Sequence, residues 1–497
     1  MEVILVGVAA CVLVASLKFL FGRSKNQGSL PPGPSGLPII GNFHQIEIVR
    51  LHHSVEKFRK RFNGIFRLNI FGRNIVIVDS YDMMKEAFAS PALADAFADR
   101  PPIFPGKYVL PSDIIFQPYT PKVVQFRKVL HQVIRAHGSE STSKDTIYRE
   151  VDHLIERFQA HGTDTFDPKH DIYIYIANTM LTLLTGRRRE ANDKLLKLVC
   201  SIEHHLSYLA NPGNSTLMEL FPFLRYFPNK AGRCYREFMV EIDEIIELFR
   251  KEYSNGDIDG ESTVGQLLSG DMEVEGNKLT EDDIRGLLMD ILAAAAETTR
   301  QTLLSALLYL AKHRNVQEKI QAEMGRVVPL GTMVTGDDKV RLPYTSAALL
   351  EFYRVHSPLP LPFPHVANRD VDFHGYHIPK NTTVLFSMWS IHHDEDFWER
   401  PFDYIPERFL DRSGELLPNN DEKRRRVVAF GLGKRICPGE GMGRLRVFLC
   451  AANILQNFDI LEDKSCPLPP ADSRTFEQGV VLYPPAYKIR LRKRESK

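Results

Sequence analysis

Between Thr280 and about His313 the sequence keeps a helical hydrophobic period for roughly 30 residues, about 45 Å of helix at 1.5 Å per residue. Apolar residues occupy nearly every face of it, and a helix without a polar face must cross the core. Arg285, Asp290, Glu297 and Arg300 exclude a membrane span. Thr280 with Asp283 supplies a capping box, and Leu279 with Ile284 a hydrophobic staple, so its start is fixed too. The rest of the chain must pack round this one element. Its middle, Ala293 to Arg300, reads AAAAETTR. Four small side chains let something flat approach the backbone, and the threonines can bond back to carbonyls and bend the helix. Taken alone, the stretch suits close helix–helix packing equally well.

Helical periodicity also marks Val123–Arg135, Ile147–Phe158, Ala191–Leu209 and Lys230–Tyr253. Ile65 to Ser80 reads as two β-strands joined at Gly72-Arg73-Asn74, and short strands recur near Phe373–Ile378, at Thr383–Phe386 and in the C-terminal stretch. Long helices with scattered strands predict a mainly α fold with small β-sheets, an α+β class. The chain has 497 residues, 43% of them hydrophobic, with no compositional break past residue 50, so one body over 51–497 is expected. Its 63 basic residues against 62 acidic ones leave no charge excess to recruit nucleic acid.

Val3 to Phe21 is apolar except for Ser16 and Lys18, and a membrane-spanning helix needs about 17–25 residues. A cleaved signal peptide would start with basic residues, but only Met1 and Glu2 precede the run. Lys18, Arg23 and Lys25 on its far side keep the remainder cytoplasmic. The expected layout is a transmembrane anchor over 1–21, a basic and Pro-rich linker or hinge over 22–50, and then the body. Pro31 to Asn42, PPGPSGLPIIGN, favours a stiff extended segment. In that topology the sequons at Asn214 and Asn381 never meet the luminal glycosylation machinery.

Six cysteines, with no CxxC pair among them, argue against a zinc site or a disulfide framework. One of them stands apart. Cys437 lies in AFGLGKRICPGEG, Ala429 to Gly441, a turn with four glycines and two cations just ahead of the thiol. Lys434 and Arg435 are expected to draw that thiol toward thiolate. A catalytic nucleophile would want a histidine base nearby in space, and the chain has seventeen histidines. A glycine turn whose N–H groups face a thiolate is also how proteins hold a soft metal ligand. The pattern Phe430-x-x-Gly433-x-Arg435-x-Cys437-x-Gly439 should arise by accident in on the order of one chain in ten thousand, which makes it worth matching.

At these residues the sequence resembles the heme-thiolate monooxygenases of cytochrome P-450 type, in particular the membrane-anchored animal microsomal group, over nearly its whole length from Pro31. The resemblance implies heme b (iron protoporphyrin IX) with Cys437 as the axial ligand of the iron. Phe430 and Gly439 then line the cofactor, and Arg435 reaches a heme propionate. Arg127 matches the arginine of the family's Trp-x-x-x-Arg, although Val123 stands at the tryptophan position, and His365 falls where the family places a propionate partner. Ala294-Ala295-Ala296-Glu297-Thr298 matches the family's distal motif, with alanine at 295 in place of the usual glycine. It implies that Thr298 positions a proton donor beside the reacting oxygen and that Glu297 belongs to the proton route.

The family's Glu-x-x-Arg pair is less specific. It occurs at Glu47/Arg50, Glu56/Arg59, Glu247/Arg250, Glu297/Arg300, Glu323/Arg326, Glu351/Arg354 and Glu422/Arg425, and on a helix such a pair stabilises by only ~0.2–0.5 kcal/mol. Glu351/Arg354 is selected because its helix precedes PERF, Pro406 to Phe409, so that Glu351, Arg354 and Arg408 form a structural network by resemblance.

The resemblance further implies O2 as co-substrate and electrons from an NADPH-dependent flavoprotein reductase at the endoplasmic reticulum membrane, with the catalytic domain cytoplasmic. Lys128, Lys423–Arg426, Lys434, Arg444 and Arg446 would steer that partner. Phe97–Phe116 and Ile202–Phe227 would line the pocket for a lipophilic small molecule, a steroid, fatty acid or xenobiotic, and Leu217–Phe227 would touch the bilayer. The competing readings are a reductase-independent isomerase or dehydratase of the same fold, a heme-binding sensor without turnover, and a cysteine-nucleophile hydrolase.

Overall fold

A computed structural model describes residues 30–495, apart from Asn63 and Glu140. The expected anchor over 1–21 lies outside the described residues, and so does the start of the linker. Among the described residues no helix is long and apolar enough to cross a membrane. The mainly α fold with small sheets is borne out. By contact density the chain divides into two compact units.

The first unit holds the residues up to Pro101 together with Pro360–Ile391 and Leu432–Arg435. Its sheet follows from the β-branched runs: β1 (Ile65–Ile70) pairs antiparallel with β2 (Arg73–Val78). The hairpin turns at Phe71-Gly72, both at positive φ, one residue ahead of the expected Gly72–Asn74 joint. Left-handed values at both central residues match the twist of the flanking strands. The order continues through β4 (Thr383–Phe386), parallel to β2, to β3 (His365–Val366) at the edge. Val55, Phe66, Leu68, Ile70, Ile77 and Leu361 form the core beneath. The expected strand near Phe373–Ile378 is a hairpin, Val371–Phe373 with Tyr376–Ile378.

The proline-rich segment is docked onto this sheet. Pro32 O accepts from Arg67 N at 2.8 Å, and Asn42 Oδ1 accepts from Asn69 N at 2.7 Å. Gly41 has φ 61°, and a Cβ there would lie 2.1 Å from Asn69 O, so glycine is required.

The second unit holds Pro102–Leu359, His392–Gly431 and Ile436–Lys497. The four helices read from periodicity are present as Pro121–Ser139, Ser141–Ala160, Lys194–Ala210 and Lys230–Ser254. The central element starts on the expected capping box, with Thr280 N donating to Asp283 Oδ2 at 3.0 Å and Asp283 N to Thr280 Oγ1 at 3.3 Å. It runs as Glu281–Met289, widens to π-type turns over Asp290–Ala294, and resumes over Ala295–Lys312. Five helices surround or form the middle of this unit: α1 (Lys169–Thr185), α2 (Lys194–Ala210), α3 (Ala295–Lys312), α4 (Pro343–His356) and α5 (Glu440–Asn457). α3 packs against α1, α2, α4 and α5, which is what an all-round apolar surface demands.

Candidate functional site

The cysteine turn is closed by backbone bonds. Cys437 N donates to Phe430 O at 2.9 Å, and Gly431 N to Val428 O at 2.8 Å. The Phe430 ring meets Tyr353 edge-on at 5.4 Å and is covered by the Arg444 guanidinium at 4.6 Å. Burial pushes the Cys437 thiol up, partly offset by the Gly439 N–H and the Arg127 charge. The thiol nevertheless keeps accessible surface. A side chain enclosed by protein but still accessible faces a recess of the fold.

The expected effect of Lys434 and Arg435 on this thiol is overturned. Lys434 is ion-paired with Asp95, and Arg435 Nε donates to Ala98 O at 2.7 Å. The cation that acts on the thiol is Arg127, whose guanidinium donates to Ile436 O at 2.6 Å. Val123, at the expected tryptophan position, is packed into the core.

A buried histidine holds the start of the turn. His392 Nε2 accepts from Val428 N at 3.0 Å, so Nδ1 carries the proton and donates to Ser357 Oγ at 2.9 Å. Burial, then the Arg354 charge, pushes His392 down to about 3; burial pushes His356 to about 3 as well. Both imidazoles are neutral in the fold, and both gain a proton on unfolding below pH ~6.5. Below that pH the unfolded chain binds more protons, so stability is complete above it and is lost as pH falls toward 3. Each histidine should give a slope of about 1.4 kcal/mol per pH unit in that window. His356→Phe preserves the stack on Phe352 and should remove one such slope from urea-unfolding free energies. An unchanged slope would show that His356 does not stay neutral in the fold.

Thr298 and Glu297 are neighbours in sequence but point to different surroundings. From Gly286 to Ala311 the central element is buried at every residue except Ala294, Ala295 and Thr298. These three share one face and carry accessible surface in the middle of the core. Thr298 Oγ1 donates to Ala294 O at 2.9 Å and Thr299 Oγ1 to Ala295 O at 2.8 Å, the back-bonding read from the sequence. Glu297 turns instead into a buried ion pair with Arg300 and accepts from Gln301 Nε2 at 3.3 Å.

In the first unit, His365 and Arg435 bond the Phe97–Ala98 backbone, and Arg100 bonds the two carbonyls just ahead of His365. His365 Nδ1 bonds Phe97 O at 2.6 Å, and Arg100 donates to Phe363 O at 2.7 Å and Pro364 O at 3.0 Å. Burial, then the Arg100 and Arg435 charges, holds His365 well below its usual pKa. Its Nδ1 proton goes to a carbonyl, so neutral His365 presents Nε2 as an acceptor and binds a carboxylate only after gaining a proton. Sequence reasoning missed Arg100, for a lone arginine before two prolines carries no signal.

The seven Glu-x-x-Arg matches separate by burial. Glu47/Arg50 and Glu56/Arg59 are loose pairs at 3.8 and 3.5 Å. Arg250 turns to Glu281, Glu422 takes Arg426, and Glu323 caps α4 through Tyr344 N and Thr345 N. Glu351/Arg354 is a two-bond pair, both contacts at 2.7 Å, with no exposure of either side chain. Arg408 Nε adds a bond to Glu351 at 3.1 Å, and Arg354 also donates to His392 O and Pro401 O.

Of the proposed steering cations in this unit, Lys128, Lys423 and Arg425 are exposed. Arg446 is a correction: it is 1% exposed, with its guanidinium against Met180 Sδ and Ile176 O. Of the proposed pocket residues, Phe104, Leu110, Ile114 and Phe116 are buried, while Tyr108 lies under the Arg225 guanidinium at 4.1 Å. Asp290 Oδ2 accepts from Ile114 N at 2.9 Å and ties that segment to the central element. Leu217, Phe221, Phe223, Tyr226 and Phe227 form an apolar patch, 46–69% exposed.

Among the described residues, no three His, Cys, Asp or Glu side chains gather as a metal site. A metal taken by Cys437 would have to bring its remaining ligands with it, as a porphyrin does.

The family model described as Cytochrome P450 matches residues 31–491. "Cytochrome P450 2B4" of Oryctolagus cuniculus is 30% identical over 96% of this chain and 97% of its own length. "Cytochrome P450 2E1" of Rattus norvegicus is 29% identical over 98% and 97%, and "Cytochrome P450 2U1" of the same species 28% identical over 97% and 94%.

Proposed function

From the premise that this chain belongs to the cytochrome P450 family and is a heme-dependent monooxygenase, we propose that it inserts one atom of O2 into a lipophilic small molecule. Its electrons come from an NADPH-dependent flavoprotein reductase. The carrying observation is the Cys437 thiol, enclosed yet accessible in a turn whose backbone closes on itself. Bound heme b supplies the redox and oxygen chemistry, with the thiolate donating the electron density that favours O–O cleavage.

The protein's own groups act around it. Cys437 would ligate the iron, and the Gly439 N–H and Arg127, which already favour ionisation of the thiol, would offset the sulfur charge. Phe430, wedged between Tyr353 and Arg444, shields the turn from water. Arg435, and His365 once protonated, pair with the group's carboxylates; a negative carboxylate is what would return a proton to that imidazole. On the open strip of α3, Ala294 and Ala295 leave space while Thr298 holds a proton donor at its hydroxyl. Glu351, Arg354 and Arg408 brace the segment after α4. Phe104, Leu110, Ile114 and Phe116 supply an apolar lining for substrate, and the Leu217–Phe227 patch touches the endoplasmic reticulum membrane, to which the apolar run Val3–Phe21 would tether the chain. Lys128, Lys423 and Arg425 present positive charge to the reductase.

The test is Thr298→Ala in a reconstituted system with reductase and NADPH. NADPH oxidation should continue, while product formation falls by roughly 10²-fold, the usual weight of a positioned acid–base group. Unchanged NADPH oxidation and product yield would refute the assigned role. Turnover with an organic hydroperoxide and no reductase, at a rate the variant retains, would assign the protein to the isomerase or dehydratase class.

A further inference from the structure

Behind Glu297 lies a second buried acid. Glu203, on α2, is 1% exposed, and among the described residues neither of its carboxyl oxygens has a hydrogen-bond partner. Among the described residues the one cation within 4 Å of it is the Arg300 guanidinium, 3.7 Å from Oε2. That guanidinium is already bonded to Glu297. Two carboxyls therefore share one buried cation.

The other groups round Glu203 can be named by element. Arg300 and Glu297 come from α3, Arg446 reaches it from α5 at longer range, and Cys200 lies on α2 itself. Tyr173 of α1 stands under Arg300 at 5.9 Å, its hydroxyl given to Leu196 O. Glu237 and Glu241, from the helix Lys230–Ser254, are taken up by His205 and Ser201, which lie on the opposite side of α2. On the Glu297 side, Tyr483 and His204 complete the surroundings.

A buried carboxylate without a bonded counter-charge is costly, and taking up a proton removes that cost. With Arg300 bonded to Glu297, the neutral acid is the stable form of Glu203. Burial, only partly offset by Arg300, accordingly holds Glu203 well above the usual carboxyl range.

We propose that Glu203, Arg300 and Glu297 form one unit that holds a single proton, with Glu203 its resting site and Glu297 its outlet. When Arg300 moves from Glu297 to Glu203, the proton leaves Glu203, which becomes the paired anion, and Glu297 takes the proton up and becomes neutral. The unit's charge is zero before and after, so the exchange leaves no unpaired charge in the core. Glu203 is a positioning residue: it sets when Glu297 has a proton to give. The proposal rests on Glu297 belonging to the proton route.

Infrared difference spectroscopy of the purified full-length holoprotein tests it. At neutral pH the wild type should show the carbonyl stretch of a protonated buried carboxylic acid, and Glu203→Gln should lose it. Glu297→Gln leaves Arg300 with Glu203 alone, so Glu203 should ionise and the same band should vanish while Glu203 is still present. A band that survives Glu203→Gln, or that Glu297→Gln leaves untouched, would overturn the proposal. Glu203→Gln should also lower kcat with KM unchanged, and Glu203→Asp should restore part of it; equal loss in both variants would overturn the functional half. The infrared result needs no turnover, so a failure of the monooxygenase reading would be seen separately, in the Thr298→Ala assay.

Discussion

Replacing Arg354 by leucine is expected to cost about 3–5 kcal/mol of stability, the usual penalty for stranding one member of a buried ion pair. Glu351 would lose two bonds of 2.7 Å in a place with no access to water. It would keep only Arg408 and the Ile405 N–H, at 3.1 and 3.0 Å. The carbonyls of His392, Pro401 and Asp403 would lose their donor as well. His392 also holds Val428 N, so the loss should reach the cysteine turn. The double variant Glu351→Leu/Arg354→Leu should cost less than the sum of the single variants, because the fully buried pair is removed whole and only Arg408, which keeps its bond to Arg400 O, loses its counter-charge. Urea unfolding measures both. Arg50→Leu is the control: its pair with Glu47 is exposed and 3.8 Å long, and should be worth about 0–1 kcal/mol. Equal effects at Arg354 and Arg50 would contradict the structural role assigned to the network.

The same two pairs show where the sequence stops being legible. All seven Glu-x-x-Arg matches have identical spacing, and spacing says nothing of burial. Only what packs above a helix decides whether such a pair is solvated or sealed. The central element was readable because its information is local: a capping box, an unbroken apolar period, and threonines within reach of their own carbonyls. The hairpin at Phe71 slipped by one residue because a phenylalanine at positive φ has no signature.

Adjacency in sequence misplaces two sets of cations. Lys434 and Arg435 precede Cys437 in sequence, yet their side chains leave for Asp95 and Ala98. Arg446 reads as one more cation of a basic cluster, but is the seventh residue of a helix whose next residues, VFLCAA, are all buried. In each case the deciding partner comes from a distant part of the chain.

The other large effect concerns position 437. Among the described residues no cluster of side chains stands ready to hold a metal in its place. Cys437→Ser changes one atom in a turn held by backbone bonds from Cys437 N to Phe430 O and from Gly431 N to Val428 O, which serine can also make. The fold should therefore persist, with unfolding free energy within about 1 kcal/mol of wild type. A serine hydroxyl lacks the soft, easily ionised character that makes thiolate the ligand which promotes O–O cleavage. NADPH-dependent product formation should fall to background.

The most direct measurement is the carbon-monoxide difference spectrum of the reduced, purified Cys437→Ser protein beside the wild type. The wild type should show the band of a thiolate-ligated heme and the variant should lose it while keeping its fold; a variant that retains the band would show that some other group holds the iron.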